Sequence, residues 1–213
     1  MNYRVAGLLA ALWCSGCGSL LESKIAAPQS YVLRLPAREA TTPANTQPAG
    51  SLLLQRPKAG PGLDSDRIVL LRSDSRFDFY AASRWAAPAP DMIASFIVDG
   101  LRAGGSFAAV FDDTAPYAPR YNLRCTLRRF ESDYTKGGGA PTVFVAFDCT
   151  LGRHRDRELL SSFTAQGSAV AAADRLNDVV AAFETAATAA VGELEKQAAA
   201  AVSNEPRDPV SSN

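Results

Sequence analysis

Two alternating segments, Tyr121 to Phe130 and Thr142 to Leu151, flank a loop that contains Gly137-Gly138-Gly139. Successive side chains point to opposite faces of a strand, so the spacing predicts an antiparallel hairpin with one apolar face and a long connection. Nothing else in the chain restricts the fold as much, because an apolar face of that length has to be covered by a second layer. Leu123, Cys125 and Leu127 share the inward parity on the first arm, as do Val145, Phe147, Cys149 and Leu151 on the second. Cys125 and Cys149 are symmetric about position 137, so a symmetric hairpin sets them opposite one another. Opposed Cβ atoms lie about 4.5–5.5 Å apart, near disulfide range. Two readings stay open at this point: a bridge, or two free buried cysteines acting as small hydrophobes. A bulge that moved the register by one residue would part them.

The covering layer is legible as helical spacing. Pro88-Ala89-Pro90-Asp91 suits a helix start, since proline is tolerated in the first turn and an acid there meets the positive end of the dipole. Met92, Ile93, Phe96, Ile97 and Leu101 then share one face, and Gly104-Gly105 supplies the stop. A second helix is expected from Asn177, as N-cap, to about Ala201, with Val179, Val180, Phe183, Ala187, Val191 and Leu194 as its stripe. That stripe reads as sheet-packing core, with a partner-binding helix as the alternative. Short strands are expected at Tyr31 to Leu35 (closed by Pro36), Ser51 to Gln55, Asp66 to Arg72, Phe77 to Ala82, Phe107 to Phe111 and Leu159 to Ala169. Ala37 to Gly50 reads as a loop and Pro57 to Leu63 as a turn. With 47% apolar residues, the chain can build one core. The expected class is α/β in the α+β sense: a single domain over residues 31–201, with a mixed, mostly antiparallel sheet and two main helices packed on it.

The first residues have another purpose. Arg4 precedes an apolar run, Val5 to Trp13, that ends in Ser15-Gly16-Cys17, the layout of an export signal. The run falls short of the roughly 18–20 residues that span a bilayer. Ser15-Gly16-Cys17 resembles a lipobox, with Cys14 standing where leucine is usual, so cleavage before Cys17 and lipidation of its thiol are expected. Residues 1–16 would then be a signal peptide and 17–30 a lipidated flexible tether. Two or more acyl chains hold a protein durably on a membrane. Gly18 follows Cys17 in place of the aspartate that marks many lipoproteins for the inner membrane, which favours the outer membrane, facing the periplasm. Cys14 and Cys17 also form Cys-x-x-Cys, but no strand and helix frame them as a redox centre would require. Residues 202–213 lack core material and are expected to be a disordered tail.

Several chemistries find no support. Removal of Met1 to Gly16 leaves 21 Lys+Arg against 22 Asp+Glu, so there is no basic field for nucleic acid. His154 is the only histidine and lies in His-Arg-Asp-Arg-Glu, which reads as a solvated turn. A metal site needs more ligands than that. Gly-x-Ser-x-Gly and a phosphate-binding Walker loop are both absent. Asp112-Asp113 suits a capped turn better than a catalytic pair, because adjacent residues at a strand end point opposite ways. Neither an enzyme nor a cofactor is expected.

Tyr31-Val32-Leu33-Arg34-Leu35, Gly62-Leu63-Asp64-Ser65-Asp66-Arg67-Ile68, Phe79-Tyr80 with Arg84-Trp85-Ala86, Pro90-Asp91-Met92-Ile93 and Leu127-Arg128-Arg129-Phe130-Glu131 occur in that order behind the lipobox. Together, from Tyr31 to about Ala200, they make the chain resemble the ABC-type transport auxiliary lipoprotein family, of the paraquat-inducible protein C type. The resemblance implies a non-catalytic outer-membrane lipoprotein. It would work with an MCE-domain periplasmic protein, a permease and an ATPase that move phospholipid or another hydrophobic molecule between the membranes. A homo-oligomer is a further candidate partnership. Arg84 and Trp85 are the candidate partner-binding residues, since Arg and Trp are enriched at interface hot spots, while burial of Trp85 beneath the following helix is the alternative. The rival functions are a structural or assembly lipoprotein that works without a transporter, and an exported enzyme.

Overall fold

A computed structural model describes residues 27–36, 48–137 and 139–205. The signal peptide, Cys17, most of the tether, the loop at 37–47, Gly138 of the glycine loop and residues 206–213 lie outside the described residues. The strands are β1 (Gln29–Tyr31), β2 (Ala49–Leu54), β3 (Lys58–Ala59), β4 (Arg67–Leu71), β5 (Phe77–Trp85), β6 (Phe107–Phe111), β7 (Tyr121–Asp133), β8 (Thr142–Arg153) and β9 (Leu159–Val170). The helices are α1 (Ala89–Gly104) and α2 (Leu176–Ser203). They form a single α+β domain, with both helices packed on an open mixed sheet.

β7 is the spine. Along one edge it pairs antiparallel with β8, which pairs antiparallel with β9. Along the other edge it receives three short strands in succession, all parallel: β2 at Tyr121–Leu123, β3 at Thr126–Leu127 and β4 at Glu131–Asp133. β6 continues the sheet outward from β2, and β5 then β1 continue it from β4. The long ladders are therefore antiparallel and the short additions largely parallel. In α2, which packs on β8 and β9 and touches α1, all six stripe residues are buried, so the stripe is core.

Two glycines set this packing, one by its backbone conformation and one by close approach. α1 stops where Gly105 adopts φ 75° and returns its N–H to the Leu101 carbonyl, a left-handed cap that glycine takes without a Cβ clash. At the second, β9 presents Gly167 to α2 so closely that a Cβ there would lie 2.2 Å from the Ala186 carbonyl oxygen and 2.7 Å from the Ala190 nitrogen. Gly167→Ala is therefore expected to lower stability by about 1–3 kcal/mol through overpacking. Gly192→Ala, on the open side of the same helix, should leave stability unchanged or raise it by up to about 1 kcal/mol. Urea denaturation of the two variants checks the contrast, and equal midpoints would refute the close approach.

Several local expectations need correction. The strand expected at Tyr31 to Leu35 is instead β1, which begins at Gln29, inside the expected tether, and ends at Tyr31. Tyr31, Leu33 and Leu35 do point inward. Beyond Tyr31, however, what covers them is helical: the Arg34 N–H donates to the Glu184 carboxylate of α2 at 3.0 Å, and Leu35 lies against Gly100 of α1. Alternation reports a buried face, not the element that buries it. The strand expected to end at Ala82 runs on to Trp85 past an irregularity in register, where Ala82 adopts φ 50°. The N-cap of α2 is Arg175 rather than Asn177. That helix also outlasts its expected end, because Glu205 beyond it is tied to Tyr121 and Arg153.

Candidate functional site

The proposed sites are placed very differently by the fold. Cys17 lies outside the described residues. Trp85 is in the core, 1% exposed, with its ring centroid 5.3 Å from Phe130 and 5.1 Å from Phe183. A side chain so enclosed offers no contact surface, and of its two readings the buried one is what the structure contains. Arg84 is exposed and pairs with Asp66 at 3.6 Å. Cys125 and Cys149 are directly opposed in the β7–β8 register, with their sulfurs 2.12 Å apart. A register irregularity does occur, but only between Leu127 and Arg129, so it leaves the cysteines aligned. Asp112 accepts from the Thr114 N–H at 3.0 Å, closing a turn, while Asp113 accepts from the Arg56 N–H.

The feature missed in the sequence is the face of the sheet opposite the helices. Across β7, β8 and β9, Arg124 is opposed to Thr150 and Thr150 to Ser162. In the next row Thr126 is opposed to Asp148 and Asp148 to Thr164. Most of these side chains are exposed. Toward the Tyr121 end of β7 a groove of about 890 Å³ is lined by Arg124, Arg153, His154, Arg155 and Arg157, with Leu53 and Leu159 among its apolar borders. A second groove of about 570 Å³ adjoins it, sharing Gln55, Arg124 and Thr150 and adding Arg56 and Lys58. Among the described residues, Asp148 is the one carboxylate lining either groove, and it is engaged by Arg128 at 3.2 Å and Thr164 at 2.9 Å.

Not every cation in the groove is available. Arg153 is held by Asp156, Glu158 and Glu205, and Arg56 by Asp91. Lys58, Arg124 and Arg157 make no ion pair among the described residues. Below the groove, Glu205 ties the turn end of the β8–β9 hairpin to the end of α2. Burial pushes its carboxyl upward, but the Tyr121 hydroxyl at 2.6 Å, Arg153 and Arg120 outweigh this and hold it below the ordinary range. Burial and that same carboxylate push the Tyr121 hydroxyl up to about 12. The sequence did carry a signal for this surface: Arg124, Thr126 and Arg128 hold the outward parity of β7. The convergence of His-Arg-Asp-Arg-Glu onto the same end could not be read from spacing alone.

Among the described residues, no three His, Cys, Asp or Glu side chains gather as a metal site would require, and no helix is long and apolar enough to cross a membrane. A family model described as the ABC-type transport auxiliary lipoprotein component matches residues 31–195. The chain belongs to this family. Among solved structures, protein XCC0632 from Xanthomonas campestris, assigned to the family DUF330, is similar at 27% identity with a TM-score of 0.66, covering 82% of this chain and 94% of its own. An uncharacterised protein is similar in fold at 14% identity with a TM-score of 0.62, covering 81% and 99%. No curated protein matches. Membership makes this chain an auxiliary lipoprotein component of an ABC-type transport system.

Proposed function

We propose that this chain is an outer-membrane lipoprotein, anchored through acyl chains on Cys17 and facing the periplasm. It serves there as the non-catalytic auxiliary subunit of an MCE-type ABC system that moves phospholipid or another hydrophobic molecule between the two membranes. The observation that carries this reading is the family match across residues 31–195 placed behind Ser15-Gly16-Cys17. Gly18 supports the outer over the inner membrane. Residues 1–16 are the signal, the residues from Cys17 to β1 the tether, and the chain beyond Glu205 the tail. In the oxidising periplasm, Cys125 and Cys149 form a disulfide.

Acylation at Cys17 is expected in mass spectra of the mature N-terminus, and Cys17→Ser should move the protein out of the processed outer-membrane fraction. A mature chain that begins elsewhere with an unmodified residue overturns the anchor. Co-purification in mild detergent from cells making the whole system is expected to recover an MCE-domain protein with its permease and ATPase. Recovery of none of them would return the chain to the assembly-lipoprotein alternative.

A further inference from the structure

We propose that the basic groove on the helix-free face, at the Tyr121 end of β7, is a docking site for an extended acidic segment of a partner protein. The charge argument is local. Among the described residues, Lys58, Arg124 and Arg157 line the joined grooves without an ion pair, and the only lining carboxylate, Asp148, is engaged by Arg128. In a chain whose formal net charge is zero, such segregation calls for a source of negative charge. The shape selects that source. The two grooves, about 570 and 890 Å³, share residues and run across neighbouring strands, which suits an extended polypeptide rather than a compact ion. Leu159, 61% exposed at the start of β9, offers such a segment one apolar contact.

Arg157 supplies an independent observation. It lies in the β8–β9 connection with φ 61°, a left-handed conformation that glycine adopts without strain and arginine does not. Such a conformation persists where the surrounding turn over-determines it, and here the turn fixes Arg157 at the rim of the groove that it lines. Position is the third argument. The described chain enters through β1, whose Gln29 pairs with Ser83, on the sheet side where β4 meets Glu131 to Asp133. The groove lies at the other end of β7, whose 13 residues span about 40 Å. With the lipid anchor of the reading above, on which this third argument rests, the groove lies on the part of β7 remote from where the described chain begins. A protein partner is therefore favoured over phospholipid headgroups.

The test uses the mature acylated protein in detergent micelles and a fluorescent peptide alternating Glu and Leu, with a Gln-for-Glu version as control. The acidic peptide is expected to bind about tenfold or more tightly than the control, with affinity falling as salt rises. Arg157→Gly is expected to leave the melting temperature unchanged or raised while weakening binding about fivefold, and Arg124→Gln to weaken it similarly. Wild-type affinity in both variants, or no preference for the acidic peptide, would overturn the proposal. So would competition by inorganic phosphate or short-chain phosphatidylglycerol at equal charge concentration, which would reassign the groove to phosphate or to lipid headgroups. No transporter subunit takes part in this assay, so its failure leaves the co-purification result standing, and the reverse holds too.

Discussion

Replacing Trp85 with alanine is expected to lower stability by about 3–5 kcal/mol, the largest effect of any single substitution considered. The ring is packed between Phe130 of β7 and Phe183 of α2, which are themselves 4.9 Å apart. Alanine would thus open a cavity at the junction of sheet and helix, where neither backbone can collapse to fill it. Trp85→Phe should cost far less. The indole N–H finds no protein acceptor among the described residues, so phenylalanine surrenders volume but no protein hydrogen bond, and removing an unpaired buried donor offsets part of the loss. Arg84→Ala, at an exposed position, should stay within about 0.5 kcal/mol of the parent. Chemical denaturation of the three variants separates the outcomes. If Trp85→Ala melted like the parent and failed only in partner recovery, Trp85 would be a contact residue after all and its buried placement would be wrong.

Removing both Cys125 and Cys149 by serine substitution is expected to cost about 3 kcal/mol. That is the loop-closure entropy of a cross-link between residues 24 apart in sequence. Both positions are buried, so the two hydroxyls add to the cost unless they bond one another. The parent, denatured without reductant, should show no titratable thiol, since Cys17 is blocked by acylation. Two thiols per chain would rule out the bridge while leaving the register intact. Reductant should lower the parent's denaturation midpoint toward that of the double variant and leave the variant unmoved.

The features legible in the sequence were those written as a single period. β7, β8 and both helices each repeat along one face over a long uninterrupted stretch, and the structure places them within a few residues of expectation. Where the period was short or interrupted, legibility failed for identifiable reasons. Leu33 and Leu35 alternate like a strand but are covered by α1 and α2. The backbone at Ala82 turns through a left-handed residue and hides the last part of β5. β3 consists of Lys58 and Ala59 alone, too few for any periodicity. Trp85 illustrates the ambiguity of composition: the same residue type serves hot spots and cores, and only the neighbouring rings decide. The basic groove was hidden for a different reason, since Lys58, Arg124 and Arg157 are brought together by sheet order and not by spacing.

The order of strands along β7 also bears on how the chain comes together as it is made. Before Tyr121 is synthesised, the available sheet consists of the β4–β5 hairpin with β1 at its side and the separate β2–β6 pair, of which the two-stranded piece is marginal alone in water. No ladder joins the two until β7 supplies the edge on which β2, β3 and β4 all rest. The stretch from β7 through α2, by contrast, is contiguous, its partners are neighbours in sequence, and such local connectivity folds fast. The half of the chain made first therefore waits, open and uncommitted, for a template carried by the half made last.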